Sequence, residues 1–233
     1  MKSALKKGIS FGLDLLFPKN CIGCGKEGLF LCKKCLKKIV RIKTPYCPIC
    51  RTMTQNGQFC RNCRPKTSLT GIMIACHYQY GPIKKVIHAF KYEGIKELKE
   101  ILIDLISKRI EGNLLRGEKI ILPIPLHEKR RTERGYNQST LLAVGLSEKF
   151  SINYSTNTLI RFKRTKPQIE LSKKERAINI KNAFRVKNKE LIQDRTILLI
   201  DDVTTTGLTL NEAAKALKSA GARNVWGVVI AQG

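Results

Sequence analysis

Short apolar runs alternate with segments of helical periodicity over the C-terminal two thirds of the chain. The apolar residues 197–200 predict a strand buried on both faces, as in a parallel sheet. After a turn, Ala213, Ala214, Leu217 and Ala220 recur at the spacing of a helix. The same patterns predict strands at 72–80, 119–125 and 225–231 and helices at 83–92, 95–110 and 139–150. This alternation predicts an α/β fold built on a mostly parallel sheet.

The turn after residues 197–200 carries the polar residues of greatest chemical interest. Asp201 and Asp202 end the predicted strand, and residues 205–209 bring three threonines and a glycine to the start of the next helix. Consecutive backbone N–H groups, hydroxyls and a helix N-terminus suit a phosphate monoester. The two carboxylates suit the vicinal hydroxyls of a sugar and a nearby Mg²⁺. A P-loop is excluded because no lysine follows Gly207 in the required position.

A second junction between a strand and a helix is rich in cations. The predicted strand at 119–125 leads into a loop that contains Arg130, Arg131 and Arg134. Charge runs are commonly found on a solvated helix face. At the edge of a sheet, however, arginine side chains are suited to holding a dianion such as pyrophosphate. We therefore treat these three arginines as candidate pyrophosphate ligands.

Eight of the nine cysteines form C-x₂-C pairs, and this spacing is typical of zinc knuckles. Two pairs supply the four thiolates of one tetrahedral site, so residues 20–66 are predicted to form a double zinc ribbon with two structural Zn²⁺. We prefer sequential pairing, which needs only short loops, and an interleaved arrangement stays open. Disulfides would need an oxidising compartment, so zinc and a cytoplasmic location are favoured. The predicted ligands are Cys21, Cys24, Cys32, Cys35, Cys47, Cys50, Cys60 and Cys63.

Lys2, Lys6 and Lys7 precede an apolar stretch within the first 19 residues, so we considered a secretory signal. Asp14 interrupts the stretch and no small-residue cleavage site follows it. The spacing of its leucines and isoleucines predicts instead an amphipathic helix at 1–19, ended by Pro18, that packs on the protein. Docking on a membrane surface is the weaker alternative. No segment approaches the roughly 20 apolar residues of a transmembrane helix.

Charge is the outlier in the composition. The chain holds 44 lysines and arginines against 18 acidic residues, which gives a formal net charge of +26. Such a balance favours polyanionic partners, namely nucleic acid, pyrophosphate or an anionic membrane surface. Lysines spread evenly over the surface would not indicate a polyanionic partner, so the net charge alone does not identify the partner. Six basic residues cluster after the second knuckle: Lys33, Lys34, Lys37, Lys38, Arg41 and Lys43.

The motifs together resemble a known family. The apolar run, the Asp-Asp pair and Thr-Thr-Gly-x-Thr resemble the 5-phosphoribosyl-1-pyrophosphate (PRPP) motif of type I phosphoribosyltransferases. The sequence Pro-x-Pro-Leu-x-x-x-Arg-x-x-x-Arg-Gly-Tyr-Asn-Gln from Pro123, the segment 164–184 and the cysteine pairs resemble the ComF branch of this fold, which is linked to natural competence. The resemblance covers nearly the whole chain. It implies a type I phosphoribosyltransferase domain at 71–233.

The resemblance also implies roles for the site residues. Asp201 and Asp202, the candidate catalytic pair, would hold the ribose hydroxyls, and residues 162–182 would form a mobile hood over the site. The 5′-phosphate would lie on Thr204, Thr205, Thr206, Gly207, Leu208 and Thr209.

The expected function is binding of PRPP with Mg²⁺ and handling of single-stranded DNA during natural competence. One alternative is an active phosphoribosyltransferase with an unknown small-molecule acceptor. The other is a non-catalytic zinc-ribbon adaptor for a competence helicase. No stretch of the sequence specifies a purine, a pyrimidine, an amine or a DNA end as the acceptor.

Overall fold

The computed structural model describes residues 18–110, 117–163 and 173–233. The predicted helix at 1–19 lies almost entirely outside the described residues, and so does the middle of the predicted hood, residues 164–172. The strands are β1 Gly71–His77, β2 Lys119–Pro123, β3 Leu159–Arg161, β4 Phe184–Val186, β5 Thr196–Thr204 and β6 Asn224–Gln232.

Four of these strands form one parallel sheet in the order β1-β6-β5-β2. The apolar residues 197–200 are completely buried in β5, as the sequence predicts for a strand covered on both faces. Because the sheet is parallel, the acidic end of β5 and the end of β2 reach the same edge. β3 and β4 pair separately as an antiparallel ribbon.

Seven α-helices occur in the described part of the chain. They are α1 Lys33–Lys37, α2 Ile83–Tyr92, α3 Leu98–Ser107, α4 Glu128–Arg134, α5 Gln138–Phe150, α6 Lys173–Ile180 and α7 Leu208–Ser219. The helix predicted at 95–110 is shorter in the structure. The arginine-rich loop contains the short helix α4, which His127 caps and Gly135 ends in a left-handed conformation. None of the described helices is long and apolar enough to cross a membrane.

Each face of the sheet has its own apolar core. Buried residues of α2, α3 and α5 pack on one face, together with Cys21, Leu31, Cys35 and Ile39 of the cysteine-rich segment. The other face is covered by α7 and the β3–β4 ribbon, together with Cys47, Phe59 and Cys63. The two halves of the cysteine-rich segment therefore belong to opposite faces of the sheet.

The cysteine-rich segment also covers β1, which is an edge strand. The Ile42 N–H donates to the Ala75 carbonyl at 3.0 Å, and the His77 N–H donates to the Val40 carbonyl at 2.9 Å. Pairing of this kind protects an edge that would otherwise expose unpaired backbone groups. The apolar residues of this segment are also shared with the two domain cores, so metal is not all that holds it.

Residues 65–70 have the polar, proline-containing composition of a linker, and in the structure they pack on the domain that follows. Leu69 is buried in the second core, and the side chain of Asn211 on α7 accepts bonds at 2.8 Å from the Thr67 hydroxyl and the Ser68 N–H. Polar, proline-containing composition signals a lack of regular structure, which does not exclude tertiary packing. This segment fastens the cysteine-rich module to α7.

Candidate functional site

The turn between β5 and α7 forms a small concave cup. We name residues 204–209 the threonine turn; Asp201, Val203 and all six residues of the turn line the cup. Gly207 begins α7 with a φ of 76°, and a Cβ atom there would lie 3.3 Å from the Ile72 Cδ1 atom. Glycine adopts this left-handed conformation without strain. The predicted phosphate-binding residues are thus neighbours in space, at the N-terminus of a twelve-residue helix.

Asp201 and Asp202, which we call the acidic pair, have different surroundings. The Ser139 hydroxyl donates to Asp201 Oδ1 at 3.1 Å, and the Asp202 N–H donates to the same oxygen at 2.9 Å. Burial and the neighbouring Asp202 carboxylate raise the pKa of Asp201 to about 7. Asp201 therefore exchanges its proton near neutral pH.

Asp202 is buried and is neutralised by a lysine. Lys91, at the end of α2, lies 2.7 Å from Asp202 Oδ1. Burial opposes the charge on this lysine, but the carboxylate of Asp202 and the more distant Asp201 hold the pKa of Lys91 above its ordinary value. Lys91 therefore stays charged at neutral pH and lies against the Asp202 carboxylate.

The acidic pair opens into a cleft of about 850 Å³. This volume lies within the range typical of small-molecule sites. Asp201, Thr205 and Thr209 line both the cup and the cleft, so the two are continuous. The cations that line the cleft are Lys91, Arg130, Arg134 and Arg161.

Two of the three predicted pyrophosphate ligands face the cleft. Arg130 and Arg134 are four residues apart on α4, which places them on one side of the helix. Arg134 also lies over the ring of Tyr92, 4.6 Å from the centroid, and donates to its hydroxyl at 3.0 Å. Arg131 is exposed and is not part of the cleft lining. A loop without regular structure could have presented all three arginines together, whereas a helix separates them.

Three further residues at the site were not predicted. Lys91, Ser139 and Arg161 come from α2, α5 and β3, far from Asp201 in the chain. Burial and then the neighbouring guanidinium of Arg130 lower the pKa of Arg161 to about 10, so it stays charged at neutral pH. Ser139 directly follows the Tyr-Asn-Gln motif, so the sequence could have identified it as a residue of the site. Lys91 and Arg161 belong to no motif that could have identified them.

The eight paired cysteines form two clusters. The first cysteine site holds Cys21, Cys24, Cys32 and Cys35, and the second holds Cys47, Cys50, Cys60 and Cys63; within each, the sulfurs lie within 4.8 Å of one another. This is the sequential pairing that we preferred.

Distances between sulfur atoms fit zinc rather than disulfides. The Sγ atoms of Cys24 and Cys32 are 3.8 Å apart, and those of Cys50 and Cys60 are 3.5 Å apart. Four thiolates at about 2.3 Å around a tetrahedral Zn²⁺ would lie about 3.8 Å from one another, whereas a disulfide bond is about 2.0 Å long. In the first site, the Cys32 N–H also points at Cys21 Sγ, at 3.3 Å. Each cluster fits one structural zinc ion.

Comparison with known proteins agrees with both parts of the structure. Residues 12–64 match the double zinc ribbon domain family, and residues 137–233 match the phosphoribosyl transferase domain family. The chain is 35% identical to Competence protein F of Haemophilus influenzae, over 91% of this chain and 97% of that protein. The chain belongs to the ComF family.

Other relatives fit this ComF assignment. The chain is 31% identical to Competence protein ComFC of Bacillus subtilis, over 82% of this chain and 79% of that protein. It is 29% identical to DNA utilization protein YhgH of Shigella flexneri, over 84% of this chain and 87% of that protein. The predicted fold class is confirmed: this ComF chain has a parallel-sheet α/β fold of the phosphoribosyltransferase type with an N-terminal double zinc ribbon.

Proposed function

We propose that this protein binds PRPP together with Mg²⁺ in the cleft beside the acidic pair. The observation that carries the proposal is the continuity of the threonine turn, the acidic pair and the arginines of α4 along one cleft. The turn suits a 5′-phosphate, the acidic pair suits ribose hydroxyls, and Arg130 and Arg134 suit a pyrophosphate. These three groups of residues thus provide one partner for each of the three parts of PRPP.

The reaction that this arrangement favours is displacement of pyrophosphate from the anomeric carbon. The bond from that carbon to the pyrophosphate oxygen breaks and its electron pair leaves with the pyrophosphate, while an electron pair of the acceptor forms the new bond. Arg130 and Arg134 would stabilise the departing charge, and the acidic pair would face the positive charge that develops on the sugar. Bound Mg²⁺ would supply further neutralisation of the pyrophosphate. Carboxylate oxygens such as those of Asp201 are the ligands that this ion prefers.

Calorimetric titration with PRPP and Mg²⁺ tests the proposal. We expect binding to the wild-type protein and none to the double variant Asp201→Asn, Asp202→Asn, with folding checked by circular dichroism. The matched control replaces two acidic residues outside the cleft, Asp104→Asn and Glu118→Gln. Equal PRPP affinity in the wild type and the acidic-pair variant would remove the site assignment. Release of pyrophosphate with a panel of bases, amines and single-stranded DNA would identify an acceptor.

We further propose that the protein handles single-stranded DNA. All six basic residues of the cluster on and after α1 are exposed, which leaves their cations accessible to phosphates. The relatives' names, competence protein and DNA utilization protein, also support this role. Two aromatic residues of the cysteine-rich segment are engaged within the protein rather than open for base stacking: Phe59 is buried in the second core and Arg51 lies over the ring of Tyr46.

The DNA proposal has a direct test in salt dependence. Counterion release requires that the affinity for single-stranded DNA falls steeply between low and physiological salt. Lys33→Gln with Lys37→Gln should reduce the slope by about 1.4 if both lysines contact phosphates, since each phosphate contact on a single strand contributes about 0.7. Lys189→Gln with Lys215→Gln, on a different surface, is the control. A flat salt dependence would favour the adaptor function instead.

We propose that residues 20–66 and 71–233 act as one functional unit, because the cysteine-rich module completes both cores and protects β1. Two sites of reduced thiolates need a reducing environment, so we propose the cytoplasm as its location. Limited proteolysis tests the first point: a stable fragment that starts near residue 71 and binds PRPP with full affinity would contradict it.

A further inference from the structure

Gln232, at the end of β6, connects the second cysteine site to the threonine turn. Its side-chain N–H₂ donates to the Thr205 carbonyl at 3.3 Å and to the Pro48 carbonyl at 3.5 Å, and its Oε1 accepts from the Tyr46 hydroxyl at 3.5 Å. Tyr46 and Pro48 flank the zinc ligand Cys47. The side-chain amide of Gln232 therefore contacts the residues before and after Cys47, and it also contacts the backbone of the threonine turn.

A second connection reaches the helix that follows the turn. The chain leaves the last knuckle at Cys63, and Thr67 and Ser68 both donate at 2.8 Å to the side chain of Asn211, which lies in the first half of α7. Asn211 in turn donates its backbone N–H to the carbonyl of Gly207 at 2.8 Å. The second site is thus connected to the threonine turn through Gln232, and to the helix α7 through Asn211.

Apolar packing completes this arrangement. Cys47, Cys63 and Phe59 share one core with Leu210, Ala213 and Ala214 of α7. Gly57, between the two knuckles of the second site, lies so close to the Ile72 carbonyl that an added Cβ atom would be 2.3 Å from it. The Ile72 side chain is also the group that a Cβ atom added at Gly207 would meet, at 3.3 Å. The second site and α7 therefore share one core in addition to their polar contacts.

We propose that the second cysteine site and Gln232 position the threonine turn, so that Zn²⁺ at this site and a phosphorylated ligand at the turn bind cooperatively. The ligand part of this inference rests on the proposed function. Coupling between two sites is reciprocal: if zinc increases the affinity for the phosphate, the phosphate retains zinc by the same factor. Typical couplings between sites are about 5- to 150-fold.

The first cysteine site provides an internal control. Its residues pack with Ala75, Cys76, Ile83 and Val86 on the other face of the sheet. The chain that follows its second knuckle makes backbone hydrogen bonds with β1 through Val40 and Ile42. We therefore expect the first site to lose zinc at a rate that neither Gln232 nor the ligand changes.

Site-resolved alkylation of the full-length, zinc-loaded protein tests the proposal. A chelator removes zinc while N-ethylmaleimide labels the released thiols, and peptide mass spectrometry follows both cysteine sites in one sample. Gln232→Met keeps the length of the side chain and removes its amide bonds. We expect it to accelerate labelling of the second site at least about fivefold, without acceleration of the first site. Gln193→Met, the same substitution at an exposed glutamine between β4 and β5, is the matched control and should behave as the wild type.

The ligand arm uses PRPP with Mg²⁺. We expect PRPP to slow labelling of the second site in the wild type at least about fivefold, and to lose this effect in Gln232→Met. Equal second-site rates in Gln232→Met and the wild type without ligand would overturn the positioning role. Calorimetric binding of PRPP without any change in second-site labelling would overturn the cooperativity. If the wild type does not bind PRPP, the proposed function fails, and the ligand-free rates still decide whether Gln232 links zinc to the turn.

Discussion

The two cysteine sites have the same ligand set and similar spacing, yet they contact different parts of the molecule. The first site contributes Cys21 and Cys35 to the core beneath α2 and α3. The second contributes Cys47 and Cys63 to the core beneath α7, and its flanking residues reach the threonine turn through Gln232 and Asn211. Two sites with the same cysteine motif therefore need not have the same role in the protein.

This difference has a physical cause. Contacts among apolar side chains are non-directional, so a core adapts to a small displacement by repacking. A hydrogen bond to a backbone carbonyl depends on distance and angle, so the same displacement breaks it. On the proposal above, the second site positions the threonine turn, whereas the first site packs on the helical face from which Lys91 reaches the acidic pair. The predictions below test this division, beginning with the helical face and its acidic pair.

The largest expected effect is a pH dependence that comes from Asp201. Its pKa is raised to about 7 in the folded protein, against an ordinary value of 3.8. The folded state keeps a proton that the unfolded state releases, so the contribution of Asp201 to stability falls as the pH rises from about 4 to about 7. At about 1.4 kcal/mol for each pH unit, the total change is of the order of 4 kcal/mol.

Urea unfolding from pH 4.5 to 8 measures this change, with Asp201→Asn as the reference that cannot ionise. The free energy of unfolding of the wild type should fall relative to that of Asp201→Asn as the pH rises. Parallel curves would show that the carboxyl titrates normally.

Removal of the cation on the helical face is expected to have the next largest effect. Lys91→Met leaves the buried Asp202 carboxylate without its counter-ion, and breaking a buried pair in this way costs about 3 kcal/mol. Lys108→Met removes an exposed lysine paired with Asp104 four residues away and should cost less than about 0.5 kcal/mol. Denaturant unfolding of both variants measures the difference. Similar losses would place Asp202 in a solvated environment.

The smallest expected effect compares the cysteine sites directly. Cys24 and Cys50 are the exposed ligands of their sites, so serine at either position changes the packing least. Both variants should retain about one zinc per chain. Cys50→Ser should weaken PRPP binding at least about tenfold, or about 1.4 kcal/mol, because it loosens the site that holds the turn. Cys24→Ser should bind PRPP as the wild type does in calorimetry; equal weakening in both variants would contradict the division of roles.

By itself, the sequence determined the features that depend on local pattern. The apolar residues 197–200 specified a buried strand, and the following Asp-Asp and threonines specified a polar turn at a helix start. The C-x₂-C pairs specified two zinc ribbons, because metal geometry and short loops leave few arrangements open. The sequence also pointed to Arg130 and Arg134, which line the cleft, because they lie in the segment that directly follows β2.

Only the tertiary structure decided which distant residues meet. Lys91 and Arg161 reach Asp201 and Asp202 from other elements, and Gln232 joins a zinc knuckle to the threonine turn across 184 residues of chain. The separation of Arg131 from its neighbours also depended on α4 being a helix. Such contacts depend on how helices and strands pack in three dimensions, and the periodicity of each segment specifies only which of its faces is buried.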